Sequence, residues 1–287
     1  MSYQKILIQL LDRPGGRLIL GKAATLLMRG DNTRDIEIKC IDGFWTRRVG
    51  DEFILDGPRY EYVFSDLATW RRPLDQYVED TKEYWLQHYT PQKGDVIVDV
   101  GAGRGEDTLT FSRAVGPTGR VIAIEAHPQS FAMLKSFCRL NKLSNVTAVH
   151  VALMDKPGSV EMAEAESSWQ ENAIRADRRM SGVVVPAVTL DDLCERQHIK
   201  NISFLKMNIE GAEVQALKGM KATMARIRQI CVACHDFRAD VGHGEELRTR
   251  SYVERSLQGY GFTIASRQDD ERDYVRDHVF GLRIGQG

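Results

Sequence analysis

The stretch VIVDVGAGRGEDT at residues 96–108 constrains the fold of this chain more than any other. An apolar run of strand length breaks into a glycine-rich turn, and the turn gives way to a segment able to start a helix. A second apolar run, VIAIEAHP at 121–128, follows and ends in an acid, Glu125. A strand, a tight glycine turn and a helix N-terminus gather backbone N–H groups and a positive dipole end into one cradle. An acid at the tip of the next strand suits a ribose diol. This is a cofactor-binding βαβ unit, and it points to an enzyme.

The glycine spacing narrows the ligand. Dinucleotide-binding turns read G-x-G-x-x-G, with the third glycine letting the helix pack close to the strand. Here the glycines are Gly101, Gly103 and Gly105, and Glu106 stands where the third would fall. Glu106 and Asp107 set two carboxylates beside a loop that would have to hold a pyrophosphate, and their charge opposes phosphate. A cofactor with a cationic or zwitterionic head and no phosphate fits better. S-adenosyl-L-methionine (SAM) is such a molecule: its amino group attracts carboxylates, and its adenosine diol matches Glu125. A nicotinamide-dependent oxidoreductase on the same βαβ unit is the alternative.

At 287 residues the chain is long enough for one large core plus a modest accessory segment. A net charge of -1 leaves no global basic excess. With no N-P-P-Y-like block either, a nucleic-acid partner is not expected. The first 29 residues carry Lys5, Arg13, Arg17, Lys22 and Arg29 against Asp12 alone, a local basic bias. Within them RLILGKAATLLMR is a helix-like apolar run, too short and too interrupted to span a bilayer, and no signal-peptide pattern is visible. It reads as a helix packing on the domain or on a second copy in a homo-oligomer, with a membrane-surface contact as the alternative. The five cysteines are scattered and odd in number, which suits a reduced cytoplasm. Cys231 and Cys234 form a C-x-x-C within IRQICVACHDF. On a strand, residues three apart face opposite sides, so the pair is not expected to close a disulfide or share a metal.

The remaining pattern alternates. Residues 1–75 read as an accessory segment with a short helix and strands in DIEIKCIDG and FWTRRVGDEFILDG. From about Asp75 to Tyr89 helical spacing places Tyr77, Tyr84, Trp85 and Tyr89 on one face. Residues 76–287 read as one α/β domain. Strands VIVDV, VIAIEA and VTAVHVAL are separated by helices DTLTFSRAV and SFAMLKSFCRLN. An inserted hairpin over 156–188 carries the polar loop ESSWQENAIRADRRMS. A short helix follows, TLDDLCERQ, capped by Thr189 or Asp191. Then come a strand and helix in ISFLKMNIEGAEVQALKGM, a strand in IRQICVACHDF, the helix YVERSLQGYG, and two closing strands, FTIASR and HVFGLRI. Strands alternating with helices predict a doubly wound, mostly parallel seven-stranded sheet closed by an antiparallel C-terminal hairpin.

Three blocks, VIVDVGAGRGEDTLTFSR, VTLDDL and LKMNIEGAEVQALKGM, resemble the FkbM family of SAM-dependent methyltransferases, over roughly residues 75–285. The third block is the most specific, the family pattern being close to LKIDVEGAE followed by Leu-Lys-Gly. ICVACH continues it, where the family tends to an apolar strand ending in Glu-x-His. The resemblance implies a class I Rossmann-like fold, SAM as cofactor and O-methylation of a small polar metabolite, sugar or natural-product intermediate. Two positions depart from the pattern: Asn208 stands for the usual Asp, and Ala233 for the usual Glu. Their lost charges motivate a further alternative, a non-catalytic SAM-binding scaffold.

Ligands in open α/β sheets bind beyond the carboxyl ends of the strands. The strand tips therefore nominate Asp99, Gly101, Ala102, Gly103, Gly105, Glu106 and Asp107 around the methionine part of SAM, with Asp99 facing its amino group or an ordered water. Glu125, with Ala126 and His127 alongside, is placed at the ribose, and Ala152 and Leu153 near the adenine. Methyl transfer needs in-line alignment and removal of one proton. The tips of the fourth and fifth strands offer Asn208, Glu210, Glu213, His235 and Asp236, with His235 as the expected general base. Helix capping is the plainer role for Glu213 and for His127. The set Asn208, His235 and Asp236 resembles the Mg2+ sites of some small-molecule O-methyltransferases, and with one sure carboxylate any Mg2+ held there would bind weakly, which leaves a metal as the alternative reading. Trp169, Asn172 and Arg175, in the polar loop, face either a substrate or solvent.

Overall fold

The computed structural model describes residues 11–29, 36–59, 74–163 and 182–283. Helix α1 (Pro14–Arg29) precedes three antiparallel strands, β1 (Ile36–Ile41), β2 (Phe44–Val49) and β3 (Glu52–Gly57), and then α2 (Leu74–Trp85). The first half of the core runs β4 (Val96–Val100), α3 (Glu106–Val115), β5 (Arg120–Glu125), α4 (Pro128–Leu140) and β6 (Val146–His150). A small side sheet takes β7 (Ala152–Leu153), β8 (Gly158–Ala163) and β9 (Gly182–Val188). The second half runs α5 (Leu190–Arg196), β10 (Ile202–Met207), α6 (Glu213–Lys218), β11 (Ile227–Ala233), α7 (Asp236–Asp240), α8 (Arg250–Gly259), β12 (Thr263–Ser266), α9 (Asp273–Arg276) and β13 (His278–Leu282).

The main sheet has the order β12-β13-β11-β10-β4-β5-β6. Strands β11, β10, β4, β5 and β6 are parallel, and β13 runs antiparallel to both of its neighbours. This is the class I methyltransferase-like arrangement expected from the sequence. Its central strands are mostly apolar because helices cover both faces, with Asp99 on β4 and Lys206 on β10 as the charged exceptions. Alternation then sorts the side chains. Val98, Val100, Ile122, Ile124, Leu205 and Met207 enter one core layer. Ile97, Val121 and Phe204 enter the other, under Trp85, Phe111 and Val115. Cys231 falls in the second layer and Cys234 in the first, so the C-x-x-C thiols point apart and both are free.

Three local readings are refined. The third strand breaks at Val151, with β6 staying in the main sheet and β7 pairing with β9 in the side sheet. Helix α2 stops at Trp85, short of Tyr89, whose ring instead stacks on Phe204 at 4.8 Å. The cap of α5 is Thr189, whose hydroxyl accepts the Asp192 N–H at 3.0 Å.

The N-terminal strands dock on the core rather than trailing from it. Phe44, Ile54 and Leu55 pack with Leu74, Leu109, Met133 and Phe137. The Asn141 side chain accepts the Phe53 N–H at 3.0 Å and donates to the Phe53 carbonyl at 2.9 Å, pinning β3 to the end of α4. Arg47 is fully buried and closes two 2.9 Å bonds with Asp56. A buried charge persists only when paired in this way. Helix α1 lays Leu20 and Ala24 against Ile38 and Trp45. No helix among the described residues is long and apolar enough to cross a membrane.

Candidate active site

Strands β4 and β10 lie side by side at the sheet centre. From β4 the chain proceeds outward to β5 and β6, and from β10 it proceeds to β11 on the other side. Their carboxyl ends therefore bound a crevice where the strand order reverses. A cavity of about 420 Å³ opens there, within the range of small-ligand sites. The loop Gly101–Gly103 forms one wall and Asn208, Ile209 and Glu210 the facing one, while Ala152, Leu153 and Met162 supply apolar surface.

Backbone geometry explains the glycines. Gly101, Gly103 and Gly105 have φ of 74°, 56° and 106°, a region that side chains with a Cβ disfavour. A Cβ on Gly101 would lie 1.9 Å from the Asn208 carbonyl oxygen. Gly105 corrects an expectation. It does not line the cavity but caps α3, and its missing side chain makes room for Phe137 and Leu134 of α4.

Glu125 closes the turn from the next strand. Its Oε2 accepts the Gly103 N–H and its Oε1 the His127 N–H, both at 2.8 Å. Burial pushes its carboxyl above the usual range, against the pull of these two donors. Each oxygen keeps acceptor capacity toward the cavity, which Ala126 and His127 also line. His127 is the residue before α4, yet its side chain makes no capping bond.

Asp99 also corrects an expectation. Alternation along β4 sends its side chain away from the cavity into the layer under α3, where it is fully buried. There its Oδ2 accepts the Thr108 hydroxyl at 2.6 Å and its Oδ1 lies 3.0 Å from the Lys206 ammonium. Lys206 carries no signature in the strand pattern, where it interrupts an apolar run. Its Nζ donates to the Gly101 carbonyl at 2.9 Å, stands 3.5 Å from Asp107 and lies 5.0 Å from the centre of the Trp85 ring. Burial works against its charge, but Asp99 and Asp107 hold its pKa above the ordinary lysine value. Asp107 lines the cavity, accepts the Thr81 hydroxyl at 2.7 Å and is pushed up by burial despite Lys206. Glu106 lines the cavity too, 2.7 Å from Arg104.

Comparison with known proteins decides the family. The model of the methyltransferase FkbM domain matches residues 99–277. The chain belongs to that family. Among curated relatives, methyltransferase sdnD of Sordaria araneosa is 28% identical over 43% of this chain and 60% of its own length. The 2-O-methyltransferase NoeI of Sinorhizobium fredii is 24% identical over 47% of this chain and 61% of its own. The chain thus spans about three fifths of the length of these relatives. Among solved structures, a methyltransferase FkbM from Methylobacillus flagellatus aligns over 74% of this chain and 50% of its own, at 16% identity and a TM-score of 0.47. Aeropyrum pernix fibrillarin, solved with S-adenosyl-L-methionine bound, aligns over 87% and 100% at 12% identity and a TM-score of 0.47.

The acceptor end of this FkbM domain departs most from the sequence-based expectation. His235 does not line the cavity. It is buried, with Nε2 3.3 Å from Glu210 and Nδ1 3.3 Å from Glu213. Burial alone would depress its pKa, but the two glutamates that accept from its ring nitrogens outweigh it and raise the value to about 9. Enclosed by the two glutamates and away from the cavity, His235 is not placed to take a proton from a ligand bound there. Glu213, fully buried, faces His235 and accepts the Gly211 N–H at 3.2 Å rather than facing a ligand. Asp236 accepts the N–H groups of Thr249 and Arg250 at 3.0 and 3.1 Å and stays clear of the cavity.

Of the three groups weighed as Mg2+ ligands, His235 and Asp236 are engaged away from the cavity and only Asn208, a neutral amide, lines it, so this donor set does not fit the ion. Among the described residues no group of three or more His, Cys, Asp or Glu is arranged to hold a metal. Glu210 does line the cavity. It is held by Arg238 at 2.5 Å as well as by His235, and these bonds keep it ionised against burial, its pKa lying below the ordinary glutamate value. Its φ of 51° is strained for a non-glycine residue, a feature that clusters at functional sites. Trp169, Asn172 and Arg175 lie outside the described residues.

Proposed function

We propose that this chain is a SAM-dependent methyltransferase acting on a hydroxyl of a small polar metabolite, sugar or natural-product intermediate in the cytoplasm. The carrying observation is Glu125. It fixes the glycine turn through Gly103 while leaving acceptor capacity at the cavity, as a ribose diol requires. The rest of the lining fits the same ligand. Arg104, Glu106, Asp107 and Lys206 bring paired charges of both signs to the loop side, which matches a zwitterionic amino-acid end and opposes a pyrophosphate. Asn208 Oδ1 is buried at the cavity wall without a hydrogen-bond partner, a state that calls for a donor from a ligand.

SAM when bound supplies an electrophilic methyl group, so the protein's tasks are alignment and proton removal. Glu210 is the cavity-lining carboxylate at the acceptor side. Held ionised by Arg238 and His235, it accepts the hydrogen bond, and then the proton, of the acceptor hydroxyl. His235 acts through Glu210 as a positioning residue. Asn208 takes an N–H or O–H of the bound ligands and brings no charge of its own.

Calorimetric titration with S-adenosylhomocysteine, with NAD as comparison and each run with and without Mg2+, tests the cofactor. Micromolar binding of S-adenosylhomocysteine that is indifferent to Mg2+, with silence toward NAD, is expected. The reverse preference would favour an oxidoreductase. Labelled methyl transfer to a panel of sugars and small polyols then tests the activity, and tight cofactor binding with no acceptor anywhere in the panel would favour the scaffold reading.

A further inference from the structure

Arg104 lies between two left-handed glycines, and its side chain, 13% exposed, reaches from the cavity wall to a different part of the fold. Its Nη1 donates to the main-chain carbonyl of Leu55 on β3 at 3.0 Å, and its Nη2 stands 2.7 Å from Glu106 Oε1. The far anchor is rigid. Leu55 is buried in the apolar layer with Leu109, Met133 and Phe137. The next residue, Asp56, is locked by the two bonds from Arg47. The near anchor needs support, because three glycines in one loop lose more conformational entropy on ordering than other residues would.

The sheet β1–β3 is also tied to the helices by two pairs remote from the cavity lining. Arg113 in the last turn of α3 meets Glu52, and Arg139 of α4 meets Asp42, each at 2.5 Å and partly exposed to solvent. These dock the sheet without touching the cavity. Arg104 differs in joining the sheet to the cavity lining itself, and Leu55 lies outside the residues 99–277 that define the family match.

We propose that Arg104 is a positioning residue through which the N-terminal sheet sets where Glu106 presents its carboxylate to the amino-acid end of the cofactor. The proposal rests on the SAM reading given above. It makes β3 a working part of the cofactor site.

The test is calorimetry on the full chain with two probes, S-adenosylhomocysteine and 5'-methylthioadenosine, the second lacking the amino-acid end. Arg104→Ala is expected to weaken S-adenosylhomocysteine by roughly ten-fold, about the loss of one charge-assisted hydrogen bond, while leaving 5'-methylthioadenosine unchanged. Arg113→Ala, which breaks an exposed tie between the same sheet and the same helix, is expected to bind both probes as wild type does. Arg104→Gln keeps a donor for the Leu55 carbonyl and loses the charge beside Glu106. It is expected to fall between wild type and Arg104→Ala, and it carries the test should the alanine variant fail to fold. Unchanged S-adenosylhomocysteine affinity in the Arg104 variants overturns the proposal. So does an equal loss for both probes, or an equal loss in Arg113→Ala, since either would reduce Arg104 to general scaffolding. A wild-type protein silent toward S-adenosylhomocysteine would instead overturn the cofactor reading, and this proposal with it.

Discussion

Lys206 and Asp99 sit opposite each other on neighbouring parallel strands, and their charged ends meet 3.0 Å apart in a layer closed to solvent. The ammonium also holds the Gly101 carbonyl, so the first glycine of the turn rests on a buried ion pair.

Removing one partner strands the other. Lys206→Met is expected to cost about 3–5 kcal/mol, because Asp99 remains fully buried without its cation. Urea denaturation measures the loss. The double variant Lys206→Met, Asp99→Asn should recover part of it, and a double variant as unstable as the single one would show that the pair is not the source.

Glu125→Ala removes the acceptor for the Gly103 and His127 N–H groups and the proposed partner of the ribose. A fall in S-adenosylhomocysteine affinity of about ten-fold or more is expected, in line with roughly 1.5–3 kcal/mol for a charge-assisted bond. Unchanged affinity by calorimetry would remove Glu125 from the site.

Two glycines of the turn should behave differently. Gly101→Ala drives a methyl group into the Asn208 main chain and is expected to abolish cofactor binding and lower stability. Gly103→Ala meets nothing within 4 Å, so its cost is conformational, about 1–2 kcal/mol for a left-handed residue. Thermal melts and titration of both variants check the ranking, and equal damage would contradict the geometry.

The buried imidazolium gives a pH signature. His235 is raised to about 9 in the folded state, above its ordinary 6.5. The stability it contributes is therefore fully present below pH 6.5 and is lost as pH climbs through 9. Against His235→Gln, the wild-type protein should lose on the order of 2–3 kcal/mol between about pH 6.5 and 9.5. A pH-independent difference between the two proteins would mean that the imidazole is neutral.

The sheet was legible because its signal is local and repeated. Apolar strands such as VIVDV and VIAIE alternate with helical periods, and glycine turns separate them. The loop wall was legible for the same reason: Gly101, Ala102, Gly103, Glu106, Asp107 and Glu125 follow from one βαβ unit, and all line the cavity. The places of Asp99 and Gly105 within that unit are not legible, because proximity in sequence hides which way a side chain points. The acceptor end was less legible, because it depends on pairing across elements. His235 reads as a free base until Glu210 and Glu213 close around it. Lys206 and Arg104 are silent in the sequence, because a lone cation in a strand or a loop announces nothing until its partners, Asp99 and the Leu55 carbonyl, are brought beside it.

The seat of β3 on α3 and α4 bears on how this chain can be cut. Leu109, Met133 and Phe137 are buried in company with Phe44, Ile54 and Leu55, although the family match begins at residue 99. A fragment begun just before β4 and kept through β13 would retain every strand of the main sheet and still present that apolar seat to water. Such a fragment should self-associate or precipitate, and it would need the first three strands, added back in cis or as a separate peptide, to stay in solution. The apolar packing of the domain thus runs past the boundary drawn by likeness.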